Sequence, residues 1–466
     1  MKKVILLILV LSLFVSINTI NAYSLTKQDN VVIKRATEKI EKYIQKKGEK
    51  YRSKLTTQLE LFRLNKFINN DEKYTIIGEI INSLKTKKQK LEQVINSFEG
   101  GNLFKSASGS FYIVSLNGTF YDMGRQYGSL LKQQLKDFYK ESVTDFLIGE
   151  KKIKYEDLVI NSKINYNEFP KNFKDYLDGI ADTSGLDKNQ VYIMSSGLVN
   201  TVYADLGCSS LSAWGDYTTD GNTITGRNLD LPGDTLRKFG KYFHIVIWNP
   251  VNYPSSVASI DLMGGLFYQT AFNNKGIFLE LQNGENADTS SFTGRINTNN
   301  ILLESLFRNT TSKETDNWFN TILPEVGLIM NGSFKDHATI YEWSTFRAVP
   351  RNATGLISAS NDFIDESWKD FKINFFDKSN EGAGYTVTRR TNLLNLGESN
   401  KGNITPQKMM EIFDTTIPSG GATFPENGQI KTIYSVVAQP GELKMWLKVR
   451  GYSTWEEIDL KKYFNE

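Results

Sequence analysis

A single cysteine, Cys208, is the strongest constraint on how this chain of 466 residues can fold. One thiol cannot close an intrachain disulfide or complete a cysteine-rich zinc or iron-sulfur site. Two histidines likewise leave little for a histidine-based metal centre, so we expect no metal site. The fold must be held by packing of the hydrophobic residues, which make up 40% of the chain and are enough for one large domain or two to three ordinary ones.

The N-terminus has the pattern of a secretory signal peptide. Two lysines precede the apolar run Val4–Val15, and the polar stretch that follows ends in Asn21-Ala22, which resembles a cleavage site. An uncleaved anchor is the alternative, although the apolar run is shorter than the roughly 20 residues that span a bilayer. We therefore expect residues 1–22 to be removed and the mature protein to be secreted or lysosomal.

Five Asn-X-Ser/Thr sequons accompany this signal, at Asn117, Asn309, Asn331, Asn352 and Asn403. In form they are acceptors for N-glycosylation, which favours a eukaryotic secretory or lysosomal origin. Because the chain is rich in Asn, Ser and Thr, we expect several of the five to be chance matches.

The pattern of residues 23–105 predicts a basic helical extension. Apolar residues recur at three- and four-residue steps from Ile33 to Phe98. Residues 23–100 carry 17 lysines and arginines against 10 acidic residues, a surplus that would suit an anionic membrane surface or nucleic acid. A solvated helix face, or a face docked on the acidic second half, is the commoner explanation of such a surplus. We infer no nucleic-acid partner.

From Phe111 onward, short β runs and turns replace the helical pattern. Predicted strands are Ser110–Leu116, Thr223–Arg227, Tyr242–Trp248, Ser256–Leu262, Gly276–Leu281, Ala338–Trp343, Gly355–Ala359, Thr432–Ala438 and Lys444–Val449. Predicted helices are Thr119–Glu141, Phe173–Ile180, Lys188–Leu198, Asn299–Arg308, Thr315–Leu323 and Pro406–Asp414. Many antiparallel strands with helices between them predict an α+β domain built in layers.

Cys208 begins a predicted β-hairpin. A strand from Cys208, a turn at Asp220-Gly221 and a returning strand bring Arg227 and Asp230 beside the thiol. A guanidinium near a thiol favours the thiolate, and a carboxylate near an amine can orient it. The pattern is that of a nucleophile with supporting charges, and a buried structural thiol is the alternative.

A histidine base for such a nucleophile is not evident. Neither His244 nor His337 lies in a recognisable catalytic setting, and we expect His337 to be structural. The α-amine of a cysteine made N-terminal by cutting Gly207-Cys208 would serve, since its unperturbed pKa of about 8 leaves a neutral fraction at pH 7. Gly207 tolerates the strained backbone that such a cut requires.

The block from Gly207-Cys208-Ser-Ser to Gly226-Arg-Asn-Leu-Asp230 resembles the N-terminal-nucleophile hydrolases. That group includes choloylglycine hydrolase, penicillin V acylase, acid ceramidase and the autoproteolytic acyltransferases of penicillin biosynthesis. The segment 117–128 resembles the acyltransferase branch, whose proenzymes carry such a segment before the nucleophile. The resemblance covers residue 111 to the C-terminus and implies a four-layer αββα sandwich, with residues 106–207 in the α chain and 208–466 in the catalytic β chain.

The resemblance implies roles for the residues around the cut. Cys208 matches the nucleophile, and its freed amine would be the general base. Arg227 and Asp230 match the pair that holds the thiol and the amine, and an ordinary surface ion pair between them is the alternative. The precursor would cut itself between Gly207 and Cys208, and the α and β chains of the one precursor would form the enzyme.

Later residues complete the implied site. Asn283 and Asn361 match the two oxyanion asparagines, although both could equally be turn residues that satisfy local backbone. Arg389, in preference to Arg390, matches the later site arginine. No metal or organic cofactor is implied.

The function that follows is cleavage of a non-peptide C–N amide, or transfer of its acyl group. Substrates of this kind are N-acyl amino acids and N-acyl lipids. Two hypotheses of another class are a non-catalytic secreted binding protein that retains the fold, and a membrane-surface module that acts through the basic helices.

Overall fold

The computed structural model describes residues 33–40, 59, 79–81, 94–202, 207–233, 235–296, 298–369, 371 and 385–464. The chain divides into two compact units, Met1–Val94 and Ile95–Glu466. In the first unit the described residues before Val94 are helical, as predicted, and Ile40, Leu59 and Ile81 are buried. The predicted signal peptide and the rest of the predicted helical extension before Val94 lie outside the described residues.

The helical prediction is wrong at its C-terminal end. Val94–Phe98 forms strand β1 and Gly101–Lys105 forms strand β2. The chain turns between them at Glu99 and Gly100, which both have positive φ (46° and 90°). Apolar residues four apart suit a helix as well as a strand, so the spacing alone could not distinguish them. The extension therefore ends before the boundary predicted at residue 105, and both strands belong to the larger sheet described next.

In the part of the chain that is described, the strands form two sheets. The ten-stranded sheet has the order β1-β2-β3-β6-β7-β8-β9-β10-β11-β12, with β3 Tyr112–Gly118, β6 Phe243–Pro250, β7 Val257–Leu262, β8 Thr270–Asn273, β9 Phe278–Asn283, β10 Leu328–Ser333, β11 Ala338–Trp343 and β12 Ala348–Arg351. The six-stranded sheet has the order β13-β4-β5-β14-β15-β16, with β4 Gly207–Gly215, β5 Gly221–Pro232, β13 Leu356–Ala359, β14 Ile430–Gln439, β15 Lys444–Val449 and β16 Glu456–Asp459. Strand β3 runs parallel to β6, whereas β4, β5, β13, β14, β15 and β16 pair antiparallel.

Helices lie between these strands in sequence. They are α1 Phe120–Leu130, α2 Lys132–Phe138, a π-helical segment Tyr139–Glu150, α3 Tyr155–Glu168, α4 Lys171–Ser184, α5 Lys188–Val202, α6 Thr235–Lys238, α7 Thr298–Arg308, α8 Ser312–Thr321, α9 Thr386–Ser399 and α10 Pro406–Asp414. The mixture of helix and sheet confirms the α+β class. The predicted strands and helices from residue 110 onward are present with shifted ends, whereas helices α3, α6 and α9 and strands β8, β10 and β12 were not predicted.

Two helices of the second unit, α1 and α4, cross with their backbones in close contact. A Cβ at Gly124 would lie 2.1 Å from the Tyr176 carbonyl oxygen, and one at Gly179 would lie 2.3 Å from the Tyr121 carbonyl oxygen. Helix α1 begins with a capping box, in which the Thr119 side chain accepts from the Asp122 amide and the Asp122 carboxylate accepts from the Thr119 amide. Gly124, in the 117–128 segment, therefore permits a helix crossing.

Helices α9 and α10 pack on the six-stranded sheet. The shared apolar cluster includes Leu211, Ile224, Leu393, Met409, Phe413 and Val437. This packing fixes α9 beside β4, the strand that begins at Gly207 and carries Cys208. Within the described residues, no helix combines the length and apolarity needed to cross a membrane.

Candidate active site

The thiol of Cys208 lies against the guanidinium of Arg227. Strands β4 and β5 pair antiparallel with Cys208 opposite Leu229 and Ser210 opposite Arg227, as the predicted hairpin requires. Arg227 Nη2 donates to Cys208 Sγ at 3.1 Å. Both side chains are fully buried. The local strand pairing therefore delivers the cation to the sulfur.

Arg227 is itself held by the ten-stranded sheet. Its Nη1 donates to the Gln269 carbonyl oxygen at 2.6 Å and to Thr270 Oγ1 at 2.9 Å. Its Cζ lies 5.7 Å from the ring centroid of Tyr434, whose hydroxyl is 2.9 Å from Thr270 Oγ1. One terminal nitrogen of the guanidinium, Nη1, is thus held by Gln269 and Thr270, and the other terminal nitrogen, Nη2, faces the sulfur.

The backbone nitrogen of Cys208 has its own partner. It donates to Asn361 Oδ1 at 2.8 Å. Asn361 Oδ1 also accepts from Arg389 Nη2 at 2.9 Å, which orients the amide. The Cys208 carbonyl oxygen accepts from Arg389 Nη1 at 2.5 Å and from Ser360 Oγ at 3.0 Å. Both polar backbone atoms of the cysteine are therefore engaged by buried side chains.

Asp230 completes this group from the paired strand. It lies opposite Gly207 in the β4–β5 register, and its carboxylate accepts from Arg389 Nη1 at 3.2 Å and from Thr432 Oγ1 at 2.6 Å. The side chains of Asp230 and Arg389 are fully buried. Asp230 is thus a further buried ionisable group beside the Gly207–Cys208 bond.

Burial controls the protonation of these groups. It raises the pKa of the Cys208 thiol to about 11, although Arg227 and Arg389 act in the opposite direction. It also raises the pKa of Asp230 to about 6, against the lowering effect of Arg389. The guanidinium was expected to favour the thiolate, but the desolvation cost is larger. A thiol whose pKa is raised in this way is protonated at neutral pH.

Asn283 stands apart from the other predicted residues. Its carbonyl oxygen accepts from Asn361 Nδ2 at 2.9 Å, which places it next to the cysteine's partner. Its side chain, however, accepts from the Glu285 amide at 2.7 Å and donates to the Glu285 carboxylate at 3.3 Å. This is the turn arrangement that the sequence left open, and the oxyanion role of the Asn283 side chain stays a prediction.

The two adjacent arginines of α9 have different partners. Arg389 reaches Cys208, Asp230 and Asn361, whereas Arg390 Nη2 pairs with Asp362 at 2.7 Å. A helix points neighbouring residues about 100° apart, so only one of the pair can face β4. The preference for Arg389 as the site arginine agrees with this geometry.

The histidines are bound elsewhere. His244 is buried, with Nε2 at 2.9 Å from the Tyr127 hydroxyl and Nδ1 at 2.9 Å from the Asp261 carbonyl oxygen. Burial lowers the pKa of His244 to about 4, so it is neutral at ordinary pH. His337 pairs with Asp336 at 2.7 Å. Over the described ranges, no group of three or more His, Cys, Asp or Glu side chains could hold a metal ion.

Two predicted glycosylation sites are wrong for the folded protein. Asn331 is fully buried in β10, and its Nδ2 donates to Glu280 at 2.8 Å. Asn309 is also buried, and its Nδ2 donates to Ser305 Oγ at 3.0 Å. A glycan on either nitrogen would have to pass through the core. Asn352 and Asn403 are exposed, and Asn117 is partly buried.

Several residues of the site were missed from the sequence. They are Ser360, Thr432, Gln269 and Thr270, which contact Cys208, Asp230 or Arg227. Each lies far from Cys208 in sequence, and none has a motif of its own. The one available signal was that Ser360 immediately precedes Asn361.

Comparison with known proteins adds a distant likeness. No family model and no curated protein matches the chain. Solved structures do match. Its structural neighbours include N-terminal-nucleophile hydrolases. Penicillin V acylase from Agrobacterium tumefaciens is 12% identical, with 55% of this chain and 87% of that chain covered and a TM-score of 0.37.

Two further neighbours are of the same kind. A variant of conjugated bile acid hydrolase from Clostridium perfringens is 14% identical, with 55% of this chain and 93% of that chain covered and a TM-score of 0.39. The N-acylethanolamine-hydrolyzing acid amidase ortholog of Caenorhabditis elegans is 17% identical, with 50% of this chain and 93% of that chain covered and a TM-score of 0.33. Sequence identities and TM-scores as low as these carry no information about the chemistry of the Cys208 site.

Proposed function

We propose that this protein is an autoproteolytic cysteine amidohydrolase of the N-terminal-nucleophile type. The observation that carries the proposal is the separate engagement of two atoms of one residue. Cys208 Sγ faces Arg227 at 3.1 Å, and the Cys208 backbone nitrogen faces Asn361 Oδ1 at 2.8 Å. The sulfur is the candidate nucleophile, and the nitrogen is the atom that becomes an α-amine when the Gly207–Cys208 bond is cut.

The first reaction is self-cleavage. Cys208 Sγ attacks the carbonyl carbon of Gly207, a C–S bond forms, the C–N bond breaks, and the thiol proton ends on the Cys208 nitrogen. Water then hydrolyses the thioester, which leaves a carboxylate at Gly207 and regenerates the thiol. A Cβ at Gly207 would lie 3.1 Å from the Asp230 Cβ, so the tight space beside the bond to be cut favours glycine there.

The second reaction repeats the first on an external amide. The α-amine of Cys208 takes the thiol proton and delivers it to the leaving amine, while the sulfur holds the acyl group until water releases it. The ordinary pKa of an α-amine is about 8, so part of it is neutral at pH 7 and can accept the thiol proton, which the backbone amide of the uncut chain cannot do. Asn361 Nδ2 and a reoriented Asn283 side chain donate to the developing oxyanion.

The substrate is a small C–N amide rather than a peptide chain. Since the Gly207 carbonyl is the acyl group of the first reaction, the acyl carbonyl of the substrate would take its place beside Asp230 and Arg389. N-acyl amino acids and N-acyl lipids are the proposed classes. An acyltransferase would use the same steps with an amine in place of water.

We further propose that residues 1–22 direct the enzyme to a secretory or lysosomal destination, and that its sheets and helices form the αββα layers implied by the Cys208 block.

Replacement of the nucleophile tests self-cleavage. Cys208→Ala should give one uncut band on a denaturing gel, whereas the wild type gives two bands and a β chain whose N-terminal residue is Cys208 by mass analysis. Ser209→Ala is the matched control, because Ser209 is a neighbouring buried hydroxyl with no hydrogen-bond partner among the described residues. Cleavage of Cys208→Ala at the same bond would overturn the proposal.

A panel of amides tests turnover. Wild-type protein that has cut itself is incubated with N-acyl amino acids, N-acyl ethanolamines, bile-salt conjugates and N-acyl sphingoid lipids, and products are followed by mass spectrometry. We expect release of the acyl acid from at least one class and none by Cys208→Ala. Cut protein that hydrolyses no member of the panel would favour the non-catalytic binding protein.

A further inference from the structure

A buried glutamate lies close to the Arg227–Cys208 contact. Glu280 is in the middle of β9 and is fully buried. It lies opposite Thr270 on β8, and paired residues of antiparallel strands project from the same face with Cβ atoms about 4.5–5.5 Å apart. Thr270 Oγ1 is the acceptor for Arg227 Nη1. Glu280 therefore lies one side chain away from the guanidinium that contacts the sulfur.

The hydrogen-bond partners of Glu280 are neutral. Its Oε1 accepts from Asn331 Nδ2 at 2.8 Å, across the β9–β10 pairing, and from Gln282 Nε2 at 3.4 Å. Gln282 Nε2 also donates to Ser210 Oγ at 2.7 Å. These groups position the carboxyl but bring no compensating charge. The guanidinium of Arg227 is the cation that opposes desolvation of this carboxyl.

The charges around the cluster come from both sheets. Strand β8 contributes Thr270 and strand β10 contributes Asn331, which are neutral, while the six-stranded sheet contributes the Cys208 thiol, Arg227 and the phenol of Tyr434. Burial raises the pKa of Glu280 to about 7, with Arg227 opposing the rise. Burial also raises the pKa of the Cys208 thiol, Arg227 and Arg389 lower it, and Asp230 and Glu280 raise it. The charge of Arg227 thus acts on both acids.

We propose that Glu280 is a positioning residue of the Cys208 centre that acts through the nearby Arg227: the charge of ionised Glu280 weakens the stabilisation of the thiolate, and protonated Glu280 restores it. Protonation of Glu280 would thus change the stability of the Cys208 thiolate through Arg227. Its consequence for catalysis rests on the proposed function, whereas the coupling between the two groups does not.

The single cysteine makes the coupling directly measurable. Full-length protein that carries 13C at the Cβ of cysteine gives one cysteine resonance, whose chemical shift follows thiolate formation. In Glu280→Gln the thiolate midpoint should fall by at least about half a pH unit, which is about threefold more thiolate at any pH well below the midpoint. The wild-type signal should also show a smaller inflection near pH 7 that is absent from Glu280→Gln. Titration of a freed α-amine would affect both proteins alike.

Ser333→Ala is the matched control. Ser333 is a buried hydroxyl of β10 that contacts Ser212 Oγ at 3.1 Å, and its removal changes no charge. It should leave the midpoint unchanged. An unchanged midpoint in folded Glu280→Gln would overturn the proposal.

A second variant covers the case in which Glu280→Gln does not fold. Glu280→Asp moves the charge back by one methylene and should lower the midpoint by a smaller amount, and an unchanged midpoint there has the same meaning. A denaturing gel of the same samples reports self-cleavage separately, so a failure of the proposed function is distinguished from a failure of the coupling.

Discussion

At the scale of single residues, desolvation outweighs charge pairing around Cys208. Arg227 and Arg389 both act on Cys208, yet the pKa of the thiol is raised. Asp230 has Arg389 at 3.2 Å and its pKa is raised as well. Desolvation is the larger effect because every group of the site is buried. In such a site an ion loses more hydration free energy than one neighbouring charge restores.

Asp230 should therefore make stability fall as pH rises. Its pKa is about 6 in the folded chain against an ordinary value of 3.8, so between these values the folded state keeps a proton that the unfolded state has lost. Relative to Asp230→Asn, the free energy of unfolding of the wild type should decrease by about 3 kcal/mol from about pH 3.5 to about pH 7. Urea unfolding at several pH values measures this difference. A difference that is constant, or that grows with pH, would contradict the prediction.

At the scale of elements, the α1–α4 crossing is the most demanding contact. Both helices present glycine at the point where backbones touch, and α1 follows directly from β3 of the ten-stranded sheet. Close backbone approach is possible only without a Cβ, so this pair of helices fixes where the segment before Cys208 packs.

Gly124→Ala should destabilise the second unit. The new Cβ would lie 2.1 Å from the Tyr176 carbonyl oxygen, which is backbone and cannot rotate away, so the helices must separate. Overpacking of this kind costs about 1–3 kcal/mol or more. Thermal unfolding measures the loss. Gly149→Ala is the control, because its nearest atom would be 3.3 Å away and the residue is exposed, and it should change the midpoint little. Equal midpoints for the two variants would show that the crossing tolerates a side chain.

At the scale of the whole molecule, the proposed cut falls between segments that share one sheet. Strand β3 lies before Cys208 and pairs in parallel with β6, which lies after it, from Ile113 opposite Ile245 to Leu116 opposite Trp248. These four residues are fully or nearly fully buried. The two chains that self-cleavage would produce are therefore parts of one hydrophobic core.

The cut chains should stay together under native conditions. Separating the two chains would expose the apolar surface of the β3–β6 interface to water and break the hydrogen bonds between these strands. Both changes cost free energy, and cutting the Gly207–Cys208 bond removes neither interaction. Size-exclusion chromatography of the cut protein should give one peak that contains both chains, and these should separate only in denaturant. Two peaks in native buffer would refute the prediction.

Local patterns predicted the parts of the site that a hairpin brings together. The turn at Asp220-Gly221 fixes the pairing of β4 with β5, and so the position of Arg227 near Cys208 follows from sequence spacing alone. Glu280 had no such signal, because it is brought to the site by the contact of two sheets. The end of the helical extension was also misplaced, since the apolar spacing before Phe98 suited both kinds of structure.

The sequence by itself determined that a hairpin brings a guanidinium and a carboxylate close to the one thiol and that the chain is α+β, and it predicted that this thiol is the nucleophile. Only the tertiary structure decided which of Arg389 and Arg390 reaches Cys208, that Asn331 is a buried core residue, and that burial raises the pKa of the Cys208 thiol. The reason is that hydrogen-bonded strand pairing is specified over short spans, whereas desolvation depends on the sum of all elements that close around a group.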